Sequence, residues 1–157
     1  MKPTKKDIFW VSAQLALFLA YILPVRWLAK EVPSWLRVLG WGGVIFGAGL
    51  LLVAVLQLGS TLTPFPSPKT HGRLVTSGTY RLARHPIYAG ILWLLGGWAL
   101  AHGNGYQGWI VQLLLVLFFY KSDYEETLLM EHYSEYAVYR KQVGRFFPWT
   151  FRKDRQS

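Results

Sequence analysis

An all-α integral membrane fold of about four transmembrane helices is predicted, set as two hairpins around a cytoplasmic loop and followed by an amphipathic C-terminal helix. Three observations predict it. Charged residues make up 16% of the chain, against about a quarter in a soluble domain. Hydrophobic residues make up 52%, and they gather in long apolar runs. One polar, proline-bearing segment, Gly59 to Pro86, separates the first two runs from the next two. Residues 1–157 read as a single membrane domain, with an N-terminal helical hairpin over 8–58 and a core over 59–149.

The first helix is expected from about Ile8 to Leu23, where Pro24 interrupts the pattern. Its basic start resembles a signal peptide, but no clear small-x-small cleavage site follows, so it reads as a retained membrane helix. Val25 to Trp35 reads as an interfacial turn with tryptophans at headgroup depth. The second helix, about Leu36 to Leu58, has no charge after Arg37. Its glycine cluster does not sit between a strand and a helix, so it is no dinucleotide loop. Gly43 and Gly47 form a small-xxx-small pair suited to close helix packing.

Pro64, Pro66 and Pro68 forbid a continuous helix in the polar segment. That segment is long for a mere connector. The third helix starts at Pro86, a favoured first-turn position, and runs to about Ala101. The fourth returns from about Tyr106 after a tight turn. Neither glycine nor proline occurs between Gly108 and Gly144, and tyrosines recur at helical spacing beyond residue 124. The fourth helix therefore either continues out of the bilayer as an amphipathic helix or breaks briefly and resumes.

The net charge is +9. Its basic residues sit at helix ends, where they meet lipid headgroups, so the bilayer is the expected partner and nucleic acid is not. Fourteen Lys and Arg flank one side of the helices, and only Arg26, Lys30 and Arg37 the other. Both termini and the polar segment should face the cytoplasm in a multi-pass topology, in the inner membrane if the cell is prokaryotic. The absence of cysteine removes disulfides, thiolate nucleophiles and cysteine-bound metals. The four histidines lack metal-ligand spacing, so no metal site is expected. No serine sits in a nucleophile elbow.

Reactive potential collects where segment 59–86 meets the stretch from Lys121. In Arg84-His85-Pro86-Ile87-Tyr88 the proline holds His85 out of the helical region. The free N–H groups that follow favour a carboxylate or phosphate. Alternatively His85 only caps the helix and Arg84 meets lipid phosphate. Lys121 and Glu125 lie four apart on one helical face. They form either a solvated ion pair or a functional pair, with Glu125 facing a cavity and accepting from hydroxyls or an ammonium.

Leu74-Val-Thr-Ser-Gly-Thr-Tyr-Arg-Leu-Ala-Arg-His-Pro-Ile-Tyr-Ala-Gly90, with Glu125-Glu126 and Tyr136-x-x-Tyr139 downstream, resembles the isoprenylcysteine carboxyl methyltransferase family, relatives of the phospholipid N-methyltransferases. The resemblance covers roughly residues 58 to 149. It implies S-adenosylmethionine as methyl donor. Gly72, Arg73, Leu74, Val75, Tyr80, His85, Pro86, Tyr88 and Glu125 would bind this cofactor. Lys121 would face the acceptor's carboxylate, and Arg145, before Phe146-Phe147-Pro148, fits the closing basic pattern. The sequence departs from the pattern in carrying Lys121 rather than arginine and Tyr133-Ser134 rather than a Phe-Gly turn.

The implied reaction is in-line methyl displacement, which needs positioning and desolvation more than acid–base groups. A lipophilic acceptor would enter sideways from the bilayer. Isoprenylcysteine-carboxylate-like O-methylation is favoured. N-methylation of a phospholipid or small amine would need Glu125 or His85 as base. A non-catalytic membrane adaptor that retains the fold is a further alternative.

Overall fold

A computed structural model of the chain describes residues 4–25, 28, 30–67 and 74–148. Five α-helices account for most of them: α1 (Lys5–Ile22), α2 (Ser34–Leu58), α3 (Pro86–Ala101), α4 (Gly105–His132) and α5 (Tyr136–Gln142).

Helix α1 begins three residues before the expected start because Thr4 and Asp7 form a capping box. Asp7 Oδ2 accepts from the Thr4 N–H at 2.9 Å, and the Asp7 N–H donates to Thr4 Oγ1 at 3.1 Å. Helix α3 opens on Pro86, as the missing proline N–H predicts. Helix α4 does not run on into the C-terminal stretch. It stops at His132 and resumes as α5.

The α2–α3 seam is built from glycines. A Cβ on Gly40 would lie 2.5 Å from the Ala101 nitrogen, and one on Gly97 would lie 2.5 Å from the Gly40 carbonyl oxygen. Gly43 meets Gly97, and Gly47 meets Gly90 and Leu94. The two backbones therefore touch directly.

This seam changes the expected pairing. The 8–58 hairpin does not form as a packed unit. Among the described residues, α2 lies against α3 and α1 against α4. Tyr106 Oη donates to the Ala20 carbonyl at 2.9 Å, and Gln107 Nε2 to the Tyr21 carbonyl at 3.3 Å. Glycine-to-glycine contact gives α2 a closer neighbour than α1, which contains no glycine. The helices thus follow the spatial order α1, α4, α3, α2. Their shared core centres on Leu114 and Phe118, both wholly buried, with Tyr88, Ile110 and Tyr21 around them.

The outward face of α2 exposes Val38, Ile45, Phe46, Leu52 and Leu56. Such a face suits hydrocarbon rather than water. One described helix, Ser34–Leu58, is both long and apolar enough to cross a bilayer by itself; Pro86–Ala101 is apolar but shorter.

Candidate functional site

The polar segment folds over one end of the helices. Gly59–Thr61 and Gly78–Arg81 form single 3-10 turns. Gly78 has φ 62, a left-handed conformation that glycine adopts without strain. Its turn is fastened to α2: Gln57 Oε1 accepts from the Thr79 N–H at 2.9 Å and from Thr79 Oγ1 at 2.7 Å. Residues 83–85 then run parallel to 144–145, with the Arg84 and His85 N–H groups donating to the Gly144 and Arg145 carbonyls at 2.9 Å. The chain after α5 is thereby locked beside the start of α3.

These elements enclose a cavity of about 370 Å³, within the range of roughly 300–1,000 Å³ usual for small-molecule sites. Its walls are mostly apolar. Leu62, Phe65 and Pro66 come from the loop after α2, Leu74 and Val75 from the stretch before Gly78, and Ile87 and Ile91 from α3. Tyr80, Tyr88, Tyr136 and Tyr139 supply aromatic faces. Tyr139 Oη donates to the Tyr80 carbonyl, tying α5 to the Gly78–Arg81 turn. Burial pushes the Tyr139 phenol up to about 12. The Tyr136 hydroxyl is buried and has no hydrogen-bond partner among the described residues.

Two polar corners interrupt the apolar lining. At one, Tyr88 Oη donates to Glu125 Oε1 at 2.5 Å. His85 Nδ1 lies 3.4 Å from Glu125 Oε2, and its Nε2 lies 3.2 Å from Glu126 Oε1. His85 occupies the N-cap position of α3 without making a side-chain cap bond. Its place between two carboxylates favours the protonated ring. Burial alone would push its pKa down, but hydrogen bonds and charge from Glu125 and Glu126 outweigh burial and hold it above the ordinary 6.5.

Glu126 anchors this corner from behind. It is 0% exposed and lies past Tyr120, where the apolar run of α4 ends. Arg84 Nη2 and Arg140 Nε each lie 2.9 Å from its carboxylate. Arg84 also donates through Nη1 to the carbonyls of Arg140 and Val143. Burial would raise the Glu126 carboxyl, but His85, Arg84 and Arg145 outweigh it and hold it below its ordinary value. Arg84 therefore meets Glu126 inside the protein, not lipid phosphate.

Lys121 forms the other corner. It is 2% exposed. Its Nζ donates to Gln14 Oε1 at 2.7 Å and to the Pro64 carbonyl at 3.4 Å. It also stands over the Tyr88 ring, 5.3 Å from the centroid. The solvated Lys121–Glu125 ion pair considered from spacing alone is not formed. No carboxylate among the described residues lies within 4.0 Å of the ammonium.

Leu74, Val75, Tyr80, His85, Pro86, Tyr88, Lys121 and Glu125, all singled out in the sequence, line this one cavity. Gly72 and Arg73 lie outside the described residues. Arg145 is not among the lining residues. Its Nη2 pairs with Asp123 at 2.9 Å, its Nη1 donates to the Phe119 carbonyl, and its guanidinium stacks over the Phe119 ring. The tail's pairing with residues 83–85 turns Arg145 to the outer side of α4, and Phe146 instead faces His85.

Sequence reasoning missed Gln14, which lines the cavity from α1. A polar amide inside an otherwise apolar run was the available signal. It also missed the Asp7 carboxylate, fully buried and accepting from Ser67 Oγ at 2.6 Å. That bond fastens the loop after α2 to the first turn of α1.

The model of the phospholipid methyltransferase family matches residues 35–136. Protein-S-isoprenylcysteine O-methyltransferase of Rattus norvegicus is 31% identical over 146 residues, covering 89% of this chain and 51% of that protein. The Homo sapiens protein of the same name is also 31% identical over the same shares. Among solved structures, a eukaryotic intramembrane Ras methyltransferase (isoprenylcysteine carboxyl methyltransferase) superposes with a TM-score of 0.66 at 22% identity. That match covers 93% of this chain and 54% of the other. The chain thus spans about half the length of the relatives it matches.

Proposed function

Since the chain belongs to the phospholipid methyltransferase family, we propose that it is a membrane methyltransferase acting from S-adenosylmethionine on a carboxylate of a lipophilic, prenylcysteine-like acceptor. The observation that carries the reading is the pairing of two polar corners in one apolar cavity: Glu125 with His85 at one, and at the other the buried Lys121 ammonium, with no carboxylate within 4.0 Å of it among the described residues.

The lining suits the cofactor. Glu125 offers a carboxylate to hydroxyls or an ammonium, and the Tyr136 hydroxyl lacks a partner of its own among the described residues. The rings of Tyr80, Tyr88 and Tyr139 present faces that attract a cation. Leu74, Val75 and Pro86 supply apolar contact, and Gly72 and Arg73 extend the same stretch. Bound there, S-adenosylmethionine supplies a methyl on a positively charged sulfur, which an acceptor carboxylate takes with the S–C electron pair left on sulfur and no proton moved. The chain's own contribution is placement and exclusion of water. Lys121 orients the acceptor's carboxylate, and Leu62, Phe65 and Pro66 roof the cavity. Arg145 acts as a positioning residue through Asp123 and the rear of Glu126.

Membrane residence fits the apolar outer faces and the family. In this reading all four long helices cross the bilayer, the cavity and both termini face the cytoplasm, and the acceptor's apolar tail reaches the cavity from the lipid. The family's description favours a second reading, N-methylation of an amine. That chemistry must remove a proton. Both ring nitrogens of His85 are turned to carboxylates, so neither is free to take a proton from an amine, which leaves Glu125.

Calorimetric titration of detergent-purified protein with S-adenosylmethionine and its demethylated product tests the proposal. We expect saturable binding, weakened by His85→Ala and by Glu125→Ala. No binding at millimolar ligand overturns the enzyme reading. Wild-type affinity in both variants overturns the placement of the cofactor. Radiolabelled methyl transfer to prenylcysteine acids and to phospholipid amines then separates O- from N-methylation.

A further inference from the structure

Lys121 is a buried cation whose compensation is incomplete. An ammonium taken out of water is costly unless it is paired. Here two neutral oxygens, Gln14 Oε1 and the Pro64 carbonyl, and the Tyr88 ring are its partners, and no carboxylate among the described residues is within ion-pair distance. The ammonium lines the cavity, so a ligand can reach it.

Gln14 lines the same corner. An ammonium only donates, so the amide must present its oxygen to Lys121. That choice turns the Nε2–H₂ group the other way, and among the described residues it donates to nothing. Two donor groups from two helices therefore meet at one corner, one charged and one neutral. A single lysine is a point charge and cannot bind a carboxylate through two directed bonds as a guanidinium does.

We infer that Gln14 and Lys121 act together as a two-donor receptor for the acceptor's carboxylate, with Gln14 setting the preference for an acid over an uncharged acceptor. This rests on the carboxylate-acceptor reading above. It adds to that reading a residue of α1, which lies before the family-matched segment 35–136.

The test measures competition by an S-prenylcysteine acid and by its primary amide for the acceptor site, together with S-adenosylmethionine affinity, on the full chain in detergent. The wild type is expected to prefer the acid. In Gln14→Leu that preference falls by about tenfold, the effect of one hydrogen bond to a charged group, while S-adenosylmethionine affinity holds. Adding Lys121→Arg to Gln14→Leu restores the preference, because one guanidinium supplies both donors. Gln14→Glu keeps a partner for Lys121 and so keeps the fold, yet repels the acid and loses the preference further. An undiminished preference in Gln14→Leu and Gln14→Glu, with a loss in Lys121→Ala, overturns the role of Gln14 and leaves the carboxylate reading standing. A wild type that does not distinguish acid from amide overturns both.

Discussion

His85 sits between Glu125 and Glu126, each within 3.4 Å of a ring nitrogen. In the unfolded chain the imidazole loses both carboxylates, and its pKa returns to about 6.5. The folded value is the higher one. The stabilisation from this site is therefore complete below about pH 6.5. It is lost as pH rises through the elevated folded value. We expect the melting temperature in detergent to fall over that rise, and His85→Gln to flatten this part of the profile. An unchanged profile in the variant would show that the imidazolium is not what titrates. Glu125 and Glu126 also show what was hidden in the sequence. They are adjacent on α4, and about 100° of helical rotation separates them. One faces the cavity and the other the arginines behind it. Nothing in the dipeptide assigns those roles. Arg84 does so, by reaching Glu126 from a segment 42 residues away.

At the α2–α3 seam backbone meets backbone. Gly97→Ala would drive a methyl against the Gly40 oxygen and, at 2.6 Å, the Val44 nitrogen. Both are backbone atoms that cannot swing aside. We expect a loss of about 1–3 kcal/mol, the usual cost of overpacking, read as a lower melting temperature. Gly42→Ala is the control, since a Cβ there meets nothing within 4 Å. Its effect should be neutral or slightly stabilising, because alanine favours the helix by up to about 1 kcal/mol. Gly43 and Gly47 were legible as a packing pair from their spacing. Their partners Gly90 and Gly97 were not, because a small-residue face does not say which helix it meets. The break between α4 and α5 was one of two alternatives the sequence left open. No glycine or proline marks residues 133–135. Bonds from Tyr139 to Tyr80 and from Arg84 to the Arg140 and Val143 carbonyls draw α5 across the cavity instead.

Across the whole molecule the basic residues are lopsided, fourteen against three. The orientation this implies can be read directly, because a chain without cysteine is a clean background for single cysteines. Ser134→Cys and Glu31→Cys are both at exposed positions. In sealed vesicles of known sidedness, a membrane-impermeant maleimide should label the first only from the cytoplasmic face and the second only from the opposite face. Labelling of both from one face would reverse the four-span reading. The all-helical, apolar character of the fold was legible in composition, whereas which helices are neighbours depends on contacts far apart in the chain. The spatial order α1, α4, α3, α2 has a consequence for biosynthesis. Lys121 and Gln14 are 107 residues apart. At about 5–20 residues per second, several seconds pass between the synthesis of α1 and that of its partner helix. The Gln14–Lys121 corner of the cavity is thus assembled after α2 and α3 have been synthesised, and a nascent chain cut short before α4 leaves α1 without its neighbour.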